Sequence, residues 1–236
     1  MTGFPGTLAM SDSIVIARPD GPPGQLMLLL HVVGADPQDL VPLGQRLARE
    51  FPSAFIVSIA APVQPGGGHA WFAIHAITEE NRPERVAAAM PGFVATVRHW
   101  QDKAGVGLDA VALVGFSQGA IMALESTRDR PAIAGRVISI AGRFARLPQT
   151  PNPETTLHLF HGKLDPVIHY GYTVEAAKHL VSIGADITAD VVPFVGHQIT
   201  DGIVDLMIER LRGHLPKRTW EAAMRAAREL EDDQGA

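Results

Sequence analysis

Five short, almost unbroken apolar runs constrain this chain more than any other feature: QLMLLLHV (25–32), AFIVSIAAP (54–62), AVALVGF (110–116), GRVISIAG (135–142) and TLHLFHG (156–162). A strand with one wet face alternates apolar and polar residues; a run without alternation needs cover on both faces. SIVIAR (13–18) and ITADVVPF (187–194) read as further strands. Between the runs lie helical patterns. DPQDLVPLGQRLAREF (36–51) places Leu40, Leu43 and Leu47 at helical spacing, and 78–105 is a long helical stretch with a bend expected at Pro91. Further helices are predicted from Ser117, over 167–183 and over about 199–213. Alternating strands and helices predict an α/β fold with a mostly parallel central sheet and helices on both faces. No segment resembles a linker, so residues 13–216 are expected to form one domain. Residues 1–12 are expected to be a flexible extension, and residues 217–236 a helix with a frayed tail. On that helix Trp220, Met224, Ala227 and Leu230 form one stripe, expected to pack on the domain in preference to a homodimer contact.

Composition removes several classes of function. The net charge is −5, which gives no electrostatic reason for nucleic acid or an anionic membrane as partner. With no cysteine there is no disulfide framework, thiolate metal site or cysteine nucleophile. The first residues lack a basic segment followed by an apolar core, and the apolar runs are too short to span a bilayer. A cytoplasmic protein without stable membrane insertion is the expectation.

The stretch VALVGFSQGAIMALES (111–126) carries the chemistry. G-x-S-x-G between a strand and a helix is a nucleophile elbow: the turn is so tight that the serine is strained and its hydroxyl is thrust out at the carboxyl edge of the sheet. Gly115 and Gly119 let strand and helix approach. Alone the pattern is weak, since a serine capping a helix in a glycine-rich turn looks the same. A base and an orienting acid must follow in the order acid, then histidine. Asp165, after TLHLFHGKL, and His197, after DVVPFVG, both stand just past strand ends. Asp186 and Asp190 precede or lie within a strand, and Asp201 breaks the order. His158 and His161, three apart in a strand, point to opposite faces and make a poor metal pair. His99, His179 and His214 read as surface or satisfied core residues, and His69 and His75 border the loop around Trp71. The amide of Gln118, and that of Val33 in the loop after an early strand, are the candidate oxyanion donors.

LLLHVVGAD, GGGHAWFAI, GFSQGAIMALES, HGKLDPVI and FVGHQI, in this order, resemble the carboxylesterase/phospholipase family that includes acyl-protein thioesterases. WFAIHAITEENR (71–82) is similar to a stretch of its small bacterial esterases. The likeness runs from about Ser13 to Pro216. It implies an α/β-hydrolase fold and hydrolysis of short- to medium-chain acyl esters through an acyl-enzyme, with a small-molecule substrate and neither metal nor organic cofactor. Carried over by motif, Ser117 is the nucleophile, Asp165 the orienting acid and His197 the base, while Trp71, Leu164 and Val167 flank an acyl pocket. The family writes H-G-x-G-D where this chain has His31-Val32-Val33-Gly34-Ala35, so valine occupies a position usually held by glycine. Two other readings stand beside the esterase: a thioesterase or lysophospholipase with the same triad, and a weak or inactive hydrolase-fold binding protein.

Overall fold

The computed structural model describes residues 12–64 and 66–234. Apart from Asp12, the expected N-terminal extension lies outside the described residues. The elements, in chain order, are β1 (Ile14–Ala17), β2 (Gln25–Leu30), α1 (Val41–Glu50), β3 (Ala54–Ile59), α2 (Arg82–Ala104), β4 (Val111–Phe116), α3 (Gln118–Glu125), β5 (Arg136–Ile140), β6 (Thr156–Gly162), α4 (Gly171–Ser182), β7 (Ile187–Val192), α5 (Asp201–Gly213) and α6 (Lys217–Gln234). The strands form one seven-stranded sheet in the order β1-β3-β2-β4-β5-β6-β7. All neighbours are parallel except β1, which runs antiparallel to β3 at the edge.

The apolar runs lack alternation because each strand feeds two cores. Leu26, Leu28, Leu30, Phe55, Val57, Leu113 and Val137 face one side, where Val86, Phe93, Val97 and Trp100 of α2 and Met122 of α3 cover them. Met27, Leu29, Ile56, Val114, Ile138 and Phe160 face the other, beneath Leu43 and Leu47 of α1 and Ile203, Val204 and Met207 of α5. Each such side chain, fully buried, contributes about 1.5–3 kcal/mol relative to exposure.

Two expectations change. Helix α2 runs through Pro91 without interruption. The turn that leads into it is closed by a reciprocal pair of bonds, in which the Thr78 amide donates to Asn81 Oδ1 at 2.8 Å and the Asn81 amide donates to Thr78 Oγ1 at 3.2 Å. The C-terminal stripe does not pack on the domain. Trp220, Met224 and Leu230 are 57%, 40% and 61% exposed, and α6 belongs to neither core. Among the described residues its root is tied down: the Lys217 amide donates to Asp186 at 2.9 Å and Arg218 to Asp109 at 2.7 Å. The anchors are polar and gathered in the first two residues, so they fix the helix's exit without drawing its apolar face inward. Among the described residues, no helix is long and apolar enough to cross a membrane.

Candidate active site

The turn from β4 into α3 places Ser117 at φ 53°, ψ −112°, a strained conformation for a residue with a side chain. The adjoining glycines are sterically required. A Cβ on Gly119 would lie 2.2 Å from the Leu30 carbonyl oxygen, and one on Gly115 would lie 2.5 Å from the Ala120 nitrogen. Strand and helix could not meet this closely with any side chain at either position. The Ser117 amide is held by the Ile140 carbonyl at 2.9 Å, which fixes the elbow to the end of the neighbouring strand.

Asp165 and His197 follow the ends of β6 and β7, and the same device joins their loops. Gly162 leaves room for the Val195 and Gly196 carbonyls, which a Cβ would approach to 2.4 Å. The Lys163 and Leu164 amides donate to Val192 and Val195, each at 2.8 Å. So held, His197 spans the two partners: Nδ1–H donates to Asp165 Oδ2 at 2.7 Å, and Nε2 accepts from Ser117 Oγ at 2.9 Å. Its ring lies against Phe116, with centroids 5.0 Å apart.

The other oxygen of Asp165, Oδ1, accepts from the Val167 and Ile168 amides at 2.8 and 2.9 Å. Burial works to raise the pKa of this carboxyl, but the hydrogen bonds from His197 and the two amides outweigh it and hold the group below the usual carboxylate range. His161, dismissed as a metal ligand, proves to be a neighbour of this carboxylate. Its Nε2 lies 3.2 Å from Asp165 Oδ2 and donates to the Ile168 carbonyl at 2.7 Å, while Nδ1 accepts from Thr173 Oγ1 at 2.7 Å. Burial pushes its pKa down and keeps the ring neutral. His158, three residues earlier, meets Thr188 and Arg136 instead, far along the strand at the other sheet edge.

The loop after β2 forms the opposite wall. Val32 and Val33 both take ordinary negative φ, and the left-handed turn falls on Gly34 at φ 79°. The valine at the family's glycine position therefore carries no backbone strain. His31 braces the loop, donating from Nδ1 to the Val32 carbonyl at 2.7 Å and accepting from the Ala61 amide at 3.2 Å. The Gln118 side chain, 3% exposed, clamps the next loop: Oε1 accepts from the Trp71 amide and Nε2 donates to the Phe72 carbonyl, both at 2.8 Å. A glutamine directly after the elbow serine, and a histidine ending a buried strand, were the available signals for these two braces.

The larger cavity beside His197 lies away from the expected pocket residues. It has a volume of about 320 Å³ and is bounded by Val32, Leu40, Phe116, His197 and Ile199 among others. Trp71 is buried in the core, its Nε1 donating to the His31 carbonyl at 2.9 Å, and it borders a small cavity of about 40 Å³ with Phe93 and Met122. Leu164 and Val167 stand 61% and 67% exposed on the rim. The aromatic ring was drawn inward because α2 offers Phe93 edge-on at 5.5 Å.

The parallel sheet, the strained elbow and a serine–histidine–carboxylate chain at the carboxyl edge define a hydrolase of the α/β-hydrolase fold. The chain belongs to the phospholipase/carboxylesterase family, whose model matches residues 11–215. It is 44% identical over 225 residues to the esterase YpfH of Escherichia coli strain K12, covering 94% of this chain and 97% of that one. It is 26% identical over 159 residues to acyl-protein thioesterase 1 of Neurospora crassa, covering 60% of this chain and 65% of that protein. Among solved structures, esterase PE8 superposes with a TM-score of 0.75 at 28% identity, covering 86% of this chain and 97% of that one.

Proposed function

We propose that this hydrolase cleaves short- to medium-chain carboxylic esters through an acyl-enzyme on Ser117. The observation that carries this reading is the position of the His197 ring, within hydrogen-bond reach of Ser117 Oγ on one side and Asp165 Oδ2 on the other. Nε2 accepts the serine proton as Oγ attacks the ester carbonyl, and the imidazolium then gives that proton to the departing alcohol. Asp165 sets the tautomer and stabilises the transient cation. A water, deprotonated by the same Nε2, attacks the acyl-enzyme and frees the acid and the serine. The amides of Gln118, at the start of α3, and of Val33 receive the oxyanion; the first sits where helix amides carry partial positive charge. The cavity of about 320 Å³ beside His197 lies at the small end of the usual range for ligand sites, about 300–1,000 Å³. That supports small acyl or alcohol groups over long lipid chains.

The test is a series of p-nitrophenyl esters from acetyl to palmitoyl, run beside a Ser117→Ala variant and a fluorophosphonate probe. Expected are a rate maximum among the shorter chains, labelling of Ser117 in the parent, and loss of both in the variant. Parental turnover by Ser117→Ala would overturn the mechanism. A maximum at palmitoyl would overturn the chain-length assignment alone.

A further inference from the structure

Helix α6 presents an apolar stripe that stands exposed among the described residues. Every residue from Thr219 to Leu230 is exposed, and Trp220, Ala223, Met224, Ala227 and Leu230 recur at three- and four-residue spacing along one side. At 1.5 Å per residue its 18 residues extend about 27 Å. Most helical stability in proteins comes from packing of an amphipathic face, so a rooted helix with an open apolar face is built for a partner.

The charge pattern says which partner. The first nine residues of α6 hold three basic side chains and one acidic, and the last nine hold one basic and four acidic. We propose that α6 is a dimerisation helix that pairs antiparallel with α6 of a second copy of this chain. About a two-fold axis near Arg225, Trp220 falls opposite Leu230 and Ala223 opposite Ala227. This sets large residues against each other at both ends and small ones at the centre, where the backbones approach. The stripe follows the a and d positions of a heptad, and this register pairs each a with a d of the other helix. It also brings positions 231–233, acidic in the sequence, level with positions 217–219 of the partner, which include the basic Lys217 and Arg218. A parallel pair would set like charges side by side. The interface is isologous and closes on itself.

The root lies at the amino-terminal edge of the sheet. Its contacts are Asp109 before β4, Thr156 at the start of β6 and Asp186 before β7. Ser117 is at the opposite edge, so pairing leaves both active sites open. A lipid surface is the other class of partner an amphipathic helix can meet. Helices that lie on anionic bilayers carry Lys and Arg along the polar face, whereas half of this one is acidic.

The absence of cysteine permits a clean test. Sedimentation of the full chain at micromolar concentration should give about twice the monomer mass of 25.2 kDa. Trp220→Glu with Leu230→Glu should halve that mass and leave ester turnover per chain unchanged. Under oxidation, a mixture of Ala223→Cys and Ala227→Cys chains should cross-link to each other faster than either does alone. Four outcomes would overturn the proposal: a monomeric parent, a dimer that survives the double substitution, preferential cross-linking of Ala223→Cys to itself, and a monomer that binds phosphatidylserine vesicles through α6.

Discussion

At the carboxyl edge of the sheet His197 donates to Asp165 at 2.7 Å; at the amino-terminal edge His214 donates from Nε2 to Asp186 Oδ1 at 2.9 Å. Both carboxylates lie below the usual range for the same reason, since hydrogen bonds to the ionised form outweigh burial. Asp165 collects two amides and His197; Asp186 collects Thr156 Oγ1 at 2.6 Å, the Lys217 amide and His214. By donor count and electrostatics the two pairs are near twins. They differ in what the far side of the imidazole meets. His197 turns its free nitrogen to a hydroxyl held in a strained elbow. His214 packs edge-on against the His158 ring at 5.2 Å, in a knot that includes Arg136 and the root of α6. A histidine–carboxylate pair is therefore an orienting device of general use. What lies beyond the imidazole separates the two pairs, a hydroxyl in one and a second imidazole in the other.

The largest effect that could break this comparison is at the nucleophile. Ser117→Ala should lower kcat by at least about 10⁴-fold without changing the melting temperature much, because the hydroxyl is lost and the packing is kept. Asp165→Asn should follow with a loss of about 10⁴-fold, since the amide leaves His197 in the wrong tautomer. His161→Gln should cost far less, roughly tenfold, because it removes one of several contacts that hold the Asp165 carboxylate. Steady-state ester hydrolysis on folded protein measures all three. If Asp165→Asn were as mild as His161→Gln, the distinction between the two edges would fail.

Much of the carboxyl edge is legible in the sequence because its demands are local. The clash a Cβ would cause at Gly115 or Gly119 arises within one strand-to-helix turn, and a turn leaves a pattern. Asp165 and His197 were legible because strand ends mark an edge. The pocket was not, because whether Trp71 faces a ligand or the core depends on Phe93 and His31, partners 22 and 40 residues away along the chain. His161 escaped for a similar reason: its position on β6 was clear, but its contact with Asp165 depends on how the 162–168 turn folds back. The α6 stripe shows the limit of periodicity. It identifies an apolar face and is silent about whether the chain's own domain covers it.

The amino-terminal edge sharpens the comparison through pH. His158 donates to Thr188 Oγ1 and accepts from Arg136, and burial, together with the positive Arg136, lowers its pKa to about 3. The unfolded chain takes up a proton at this residue below its ordinary value of 6.5, while the folded chain does not. Its contribution to stability is therefore complete above pH 6.5, declines as pH falls toward 3 and is level below that. Over the whole window it amounts to on the order of 10³-fold in the folding equilibrium. Buried His31 and His161 are shifted in the same direction. Denaturant titrations between pH 7 and 3 should show stability falling as the pH is lowered, and a flat profile would show that these rings are charged in the folded protein. The smallest effect is expected at the twin carboxylate. Asp186→Asn leaves His214, Thr156 and the Lys217 amide facing an amide instead of an anion, which should cost about 1–3 kcal/mol of stability. Because the loss falls at the root of α6 and not at Ser117, kcat per folded chain should stay within about twofold of the parent while the melting temperature drops. A matching fall in kcat would mean that the two edges of the sheet are coupled and that the separation of structural from chemical pair is incomplete.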